Sequence, residues 1–145
     1  PLKSVSVGQI SFALFVPCHL MHSSKHFTVE RLLASLPLAI LDEEGAFCRN
    51  LREAITRAGV RLNVRLECSS LPAIAHAVQS GQYAAILPTL ARNELPSPSY
   101  REISSPLFKN QAREIHLAWN PRLMRLKTSL EKTKTWLQAH IRVGE

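Results

Sequence analysis

The sequence predicts an α/β fold: a parallel-rich open sheet with helices on both faces. Three observations carry this reading. Two short apolar runs, LPLAIL at 36–41 and YAAILP at 83–88, have the unbroken hydrophobicity of strands buried on both faces. Between them, VRLNVRLEC at 60–68 alternates apolar and polar residues as a strand with one wet face does. The gaps separating these runs carry helical periodicity, and parallel neighbours need helical crossovers of that length, right-handed by the usual rule.

Taken in chain order, ISFALFVP at 10–17 reads as an apolar strand. CHLMHSSKH at 18–26 follows it and holds three of the six histidines and one of the three cysteines. Cys18, His22 and His26 recur every four residues. On a helix they would share one face as zinc ligands can, whereas in a loop the spacing aligns nothing. A solvated connection is the plainer reading.

After LPLAIL and the acidic turn DEEG, the stretch 46–59 places Phe47, Leu51, Ala54, Ile55 and Ala58 on one helical stripe. Arg49, Arg52, Glu53 and Arg57 fall opposite, and Gly59 closes the helix. In the next strand the apolar set is Val60, Leu62, Val64, Leu66 and Cys68. Ser69 and Ser70 then offer an N-cap to LPAIAHAVQ, with Pro72 tolerated in the first turn and Gly81 at the end. His76 is expected on the polar or boundary side of this helix. The two prolines of NELPSPSY, 93–100, close the unit. EIHLAW alternates Ile115, Leu117 and Trp119 as a strand, and Pro121 is expected to open one basic helix with the stripe Leu126, Leu130, Thr133, Leu137 and Ile141.

Composition excludes several classes. With 46% hydrophobic and 20% charged residues the chain has globular character, and no apolar run is long enough to span a bilayer. No signal peptide is recognisable, so a cytoplasmic protein is expected. Three widely spaced cysteines suggest reduced thiols. The net charge of +7 is concentrated late: from Arg122 to Arg142, six cations face only Glu131, leaving +5. No aromatic residues interleave with them as a base-stacking surface requires, so a solvated helix face is expected. Nothing resembles a nucleophile elbow, a phosphate loop or a spaced acid pair; no catalytic residue and no cofactor are expected. A chain opening on Pro1 is expected to be a piece of a longer protein.

In open α/β sheets, ligands sit beyond the carboxyl ends of the strands, where helix N-termini present unpaired amides. Three segments meet that description: DEEGAF, CSSL and PTL. An anion there would meet the amides near Ala46 and Phe47 and the hydroxyls of Ser69, Ser70 and Thr89. Each serine serves equally well as a cap, so the weight lies in the convergence. Cys48, in the first turn beside Arg49, sits where a helix dipole and a cation favour a reactive thiolate, although a buried, inert thiol is the plainer reading.

The run from LPLAIL to ARNEL resembles the second subdomain of the effector-binding domain of LysR-type transcriptional regulators. The LPL strand, the ECSSL stretch, the V-x-x-G-x-x-A-A-I-L-P segment and the closing SLEKTKTWLQAHI all stand in that family's order, and ISFALFVPCH resembles its crossing between subdomains. The resemblance implies a periplasmic-binding-protein-like, Rossmann-like fold in which two subdomains close on a small molecule. Residues 1–36 would be the end of the first subdomain and the crossover, 37–105 a complete second subdomain, and 106–145 the return strand and last helix of a partial first subdomain. It implies a small, anionic effector met by Gly45, Ala46, Phe47, Ser69, Ser70 and Thr89. The intact protein would be a homodimer or homotetramer that binds DNA through a winged helix-turn-helix upstream of Pro1, so this chain alone should not bind an operator. Apolar faces of ISFALFV, EIHLAW and the last helix would lack partners, and self-association is expected. Peroxide-sensing members place a cysteine near the position of Cys48, followed by a resolving cysteine; here the next is Cys68. A thiol sensor using Cys48 and a metal module at Cys18, His22 and His26 remain as alternatives.

Overall fold

The computed structural model describes residues 1–21, 28–42, 46–95, 98–109 and 111–141, excepting the side chains of Ala46 and Phe47. Seven strands and six α-helices alternate along them. They are β1 (Lys3–Ile10), β2 (Phe12–Pro17), α1 (Val29–Ser35), β3 (Leu38–Leu41), α2 (Ala46–Arg57), β4 (Val64–Cys68), α3 (Leu71–Gln79), β5 (Ala84–Pro88), β6 (Tyr100–Ile103), α4 (Pro106–Lys109), β7 (Arg113–Trp119), α5 (Pro121–Leu126) and α6 (Thr128–His140). None of these helices is long and apolar enough to cross a membrane. The chain divides into two compact units, one of Ser11–Gln111 and one of Pro1–Ile10 with Ala112–Glu145.

The larger unit is built on a five-stranded sheet in the order β4-β3-β5-β2-β6. β3 pairs in parallel with β4 and β5, as the apolar runs and their helical crossovers require. The sheet is completed by β2, antiparallel to both β5 and β6, which makes it mixed. Alternation sends side chains to two cores. Ala13, Phe15, Ala39, Ala85 and Leu87 pack with Ile74, Ala75 and Val78 of α3 on one face. On the other, Leu14, Val16, Leu38 and Ala84 pack with Leu32 and Leu33 of α1 and Phe108 of α4. Helices therefore cover both faces, and β2 is buried along almost its whole length.

Several elements differ from the sequence reading. The single strand expected at 10–17 is two, because the chain breaks at Ser11: β1 pairs with β7, and β2 with β5 and β6. α1, not singled out from sequence, falls in the larger unit. Thr28 caps that helix by accepting the Arg31 amide, and Leu32, Leu33 and Leu36 form its buried stripe. The strand expected over 60–68 begins only at Val64, and its register against β3 slips between Leu38 and Ala39. As a result Val60 and Leu62 pack on the α1 side while Leu66 and Cys68 pack on the α3 side. A one-residue slip exchanges faces, so an unbroken alternation in sequence becomes two sets in space. Asn63 holds the transition: its amide nitrogen donates to the Ser35 carbonyl at 3.1 Å, and its Oδ1 accepts from Arg65 Nε at 2.9 Å.

The smaller unit is an antiparallel pair, β1 with β7, together with α5 and α6. Asn120 caps α5 by accepting the Arg122 amide at 2.9 Å, with Pro121 in the first turn. The final helix is not continuous: Lys127 is extended, and α6 restarts at Thr128. Thr128 and Ser129 suit a helix start better than an interior. The break leaves Leu126 78% exposed, outside the stripe expected for it. The basic segment is partly neutralised, since Lys134 Nζ lies 2.5 Å from Glu131 Oε1 and 4.9 Å from the centre of the Trp119 ring.

Candidate functional site

The parallel strands of the larger unit end where the sequence places its candidates. β3 ends at Leu41, and the Asp42 amide extends the pairing by donating to the Cys68 carbonyl at 2.8 Å. Gly45 lies outside the described residues; Ala46 and Phe47 form the first backbone positions of α2. β4 ends at Cys68. Ser69 is exposed, and Ser70 adopts the extended cap conformation, its hydroxyl accepting the Ala73 amide at 3.3 Å. Ser70 is thus a cap first. That one bond leaves its second lone pair and proton for another partner.

Thr89 follows β5 but opens a 3-10 turn, not an α-helix. Its Oγ1 lies 3.2 Å from Ser11 Oγ, and its amide donates to the Ser11 carbonyl at 3.0 Å. Ser11, the break between β1 and β2, was not singled out from sequence. Its signal is faint: one polar residue interrupting an apolar run.

An apolar pocket of about 40 Å³ runs along β3 between α2 and the start of α3. Leu41, Cys48, Leu51, Leu71 and Ile74 contribute to its wall, and Arg52 supplies the one charge among the described residues. Three of the predicted helix and strand stretches therefore meet here, with Ser70 directly preceding Leu71. A larger polar groove of about 420 Å³ lies among α1, α2 and α4. Its buried polar groups already serve the fold: Ser105 Oγ accepts the Leu107 amide at 3.2 Å, and Gln111 Nε2 donates to the Asn50 carbonyl at 3.4 Å.

The reactive side chains are placed as follows. Cys48 is buried, Cys68 half-buried and Cys18 exposed, and none of the three forms a disulfide. Cys18 sits on a three-residue 3-10 turn, where its thiol donates to the Pro98 carbonyl at 3.2 Å and its amide to the Ser99 carbonyl at 2.9 Å. His22 and His26 lie outside the described residues. Among the described residues no group of three metal-binding side chains comes together. His76 is exposed, as expected, with Nδ1 3.0 Å from Gln79 Oε1.

With β3 and β4 running into the N-termini of α2 and α3, the larger unit is an α/β domain of the periplasmic-binding-protein-like kind. The family model described as LysR substrate binding domain matches residues 6–140, and the chain belongs to that family. Solved structures share the fold. The CcmR regulatory domain of Synechocystis PCC6803 in complex with 2-PG is 16% identical, with a TM-score of 0.71 over 95% of this chain and 66% of that one. The reduced regulatory domain of OxyR2 from Vibrio vulnificus is 21% identical, with a TM-score of 0.62 over 94% and 62%. Full-length CbnR complexed with its target DNA is 14% identical, with a TM-score of 0.58 over 91% and 48%. The chain thus spans between about half and two thirds of these structures. No curated protein matches it in sequence. CbnR is a LysR family transcriptional regulator.

Proposed function

We propose that the chain is the effector-sensing part of a DNA-binding transcriptional regulator, and that a small, anionic metabolite is held at the carboxyl ends of β3, β4 and β5. The observation that carries this is the family match over 6–140 combined with a Ser70-capped helix directly after the wet-faced strand β4. Helix N-termini favour negative charge through their free amides and dipole. In this reading the segment 45–47, the Ser69 and Ser70 hydroxyls and Thr89 meet the ligand, and 37–105 together with β2 and α1 forms the second effector subdomain. The intact protein is a cytoplasmic homodimer or homotetramer that reaches DNA through a separate winged helix-turn-helix.

The redox and metal alternatives have weaker support. Cys48 is buried and Cys68 half-buried, so neither thiol is openly presented to an oxidant. The Cys18 thiol already has a carbonyl partner. The test is effector titration of the intact regulator with Ser69→Ala and Ser70→Ala. Loss of affinity beyond any loss of stability supports the assignment, and unchanged affinity removes both residues from the site.

A further inference from the structure

The pocket along β3 has a size and a chemistry that together narrow the ligand. Among the described residues, every lining side chain apart from Cys48 and Arg52 is aliphatic, so a hydroxyl or phosphate placed against them would lose its hydrogen bonds to water without replacement. Its volume is about 40 Å³. One water-sized group needs roughly 10–15 Å³, whereas a cavity that takes up benzene measures about 150 Å³. The space therefore fits about three or four saturated carbons and no aromatic ring. Leu71 is 38% exposed, which leaves the pocket open at the N-terminal turn of α3. Arg52 stands on the wall as an exposed cation, and among the described residues no carboxylate or other group pairs with it.

Resting on the effector-binding reading above, we propose that the effector is a short-chain aliphatic carboxylate. Its saturated chain lies in the pocket against Leu41, Leu51, Leu71 and Ile74, and its carboxylate pairs with Arg52. The cation and the apolar wall select for both halves of such a molecule at once. A purely polar acid leaves the pocket empty; an uncharged alcohol leaves Arg52 unpaired.

The experiment is calorimetric titration of the 145-residue chain with straight and branched carboxylates from acetate to octanoate. Benzoate, glycolate and 3-methylbutan-1-ol serve as controls. Affinity should rise by about fourfold per buried carbon up to about four or five carbons, then fall, with benzoate weak. Arg52→Gln should weaken 3-methylbutanoate by about tenfold or more and leave 3-methylbutan-1-ol unchanged, which also shows that the variant is folded. Leu71→Trp, a substitution at an exposed rim, should close the pocket to both. A flat chain-length series, tightest binding of benzoate, or indifference to both substitutions overturns the proposal. Glycolate binding best with both variants neutral overturns it while leaving the effector reading intact. Absence of binding by every carboxylate overturns the proposal, and the effector reading then rests on titration of the intact regulator.

Discussion

Ser70 accepts the Ala73 amide, so its contribution to folding must be separated from any contact with a ligand. Ser70→Ala should lower stability by about 1 kcal/mol, the usual cost of losing a cap. Ser69→Ala, at an exposed position before the cap, should stay within about 0.5 kcal/mol. Urea unfolding of the two variants gives the comparison. Gly81 presents a different constraint, with φ at +81° and the ring of His19 so close that an added Cβ would lie 2.7 Å from Cε1. Gly81→Ala should cost about 1–2 kcal/mol from the left-handed backbone alone. His19→Ala in the same background should recover only the contact part. The three thiols should also separate in a labelling experiment: Cys18 is exposed and reacts first, and Cys48 is buried and reacts last. Fast labelling of Cys48 in the native chain would contradict its placement.

At the scale of elements, the apolar runs and the 3.6-residue stripes were legible: β3, β5, α2 and α3 all stand where periodicity places them. β3 spans only four residues between its two parallel partners, so much of its stability comes from helices on either side. Ile55, 2% exposed on α2, should cost about 2–5 kcal/mol when cut to alanine, measured by the same unfolding curves. What the sequence concealed was pairing. Antiparallel and parallel partners of an apolar strand such as β2 use the same residue types, so nothing in FALFVP declares its neighbours. The face exchange at Val64 was equally hidden, because the residues on both sides of the slip keep alternating. α1 could have been found from Thr28 and the Leu32, Leu33, Leu36 spacing. For the proposed site, motif order supplied Ser69, Ser70 and the start of α2 as candidates. Arg52 was read only as part of a polar face, since its place on a pocket wall depends on how α2 rolls against β3.

Across the whole molecule, the two units differ in how well they bury apolar surface. The larger has two cores separated by its sheet; the smaller rests on a two-stranded pair, which alone is marginal in water. Leu123 is 51%, Leu126 78% and Trp136 58% exposed on its helices. Self-association through these residues follows, and light scattering should show species above the monomer whose proportion falls in a Leu126→Glu, Trp136→Glu variant. A monodisperse monomer of the parent chain would contradict this. Whether the carboxyl ends of the parallel strands receive a small anion, as proposed, is read from amide shifts of the isotopically labelled chain during titration with small carboxylates. Saturable shifts concentrated at 46–52 and Ser69 to Leu71 are expected. Saturable binding with shifts confined to Pro1–Ile10 and the segment after Ala112, or no saturable shift with any carboxylate, would contradict it.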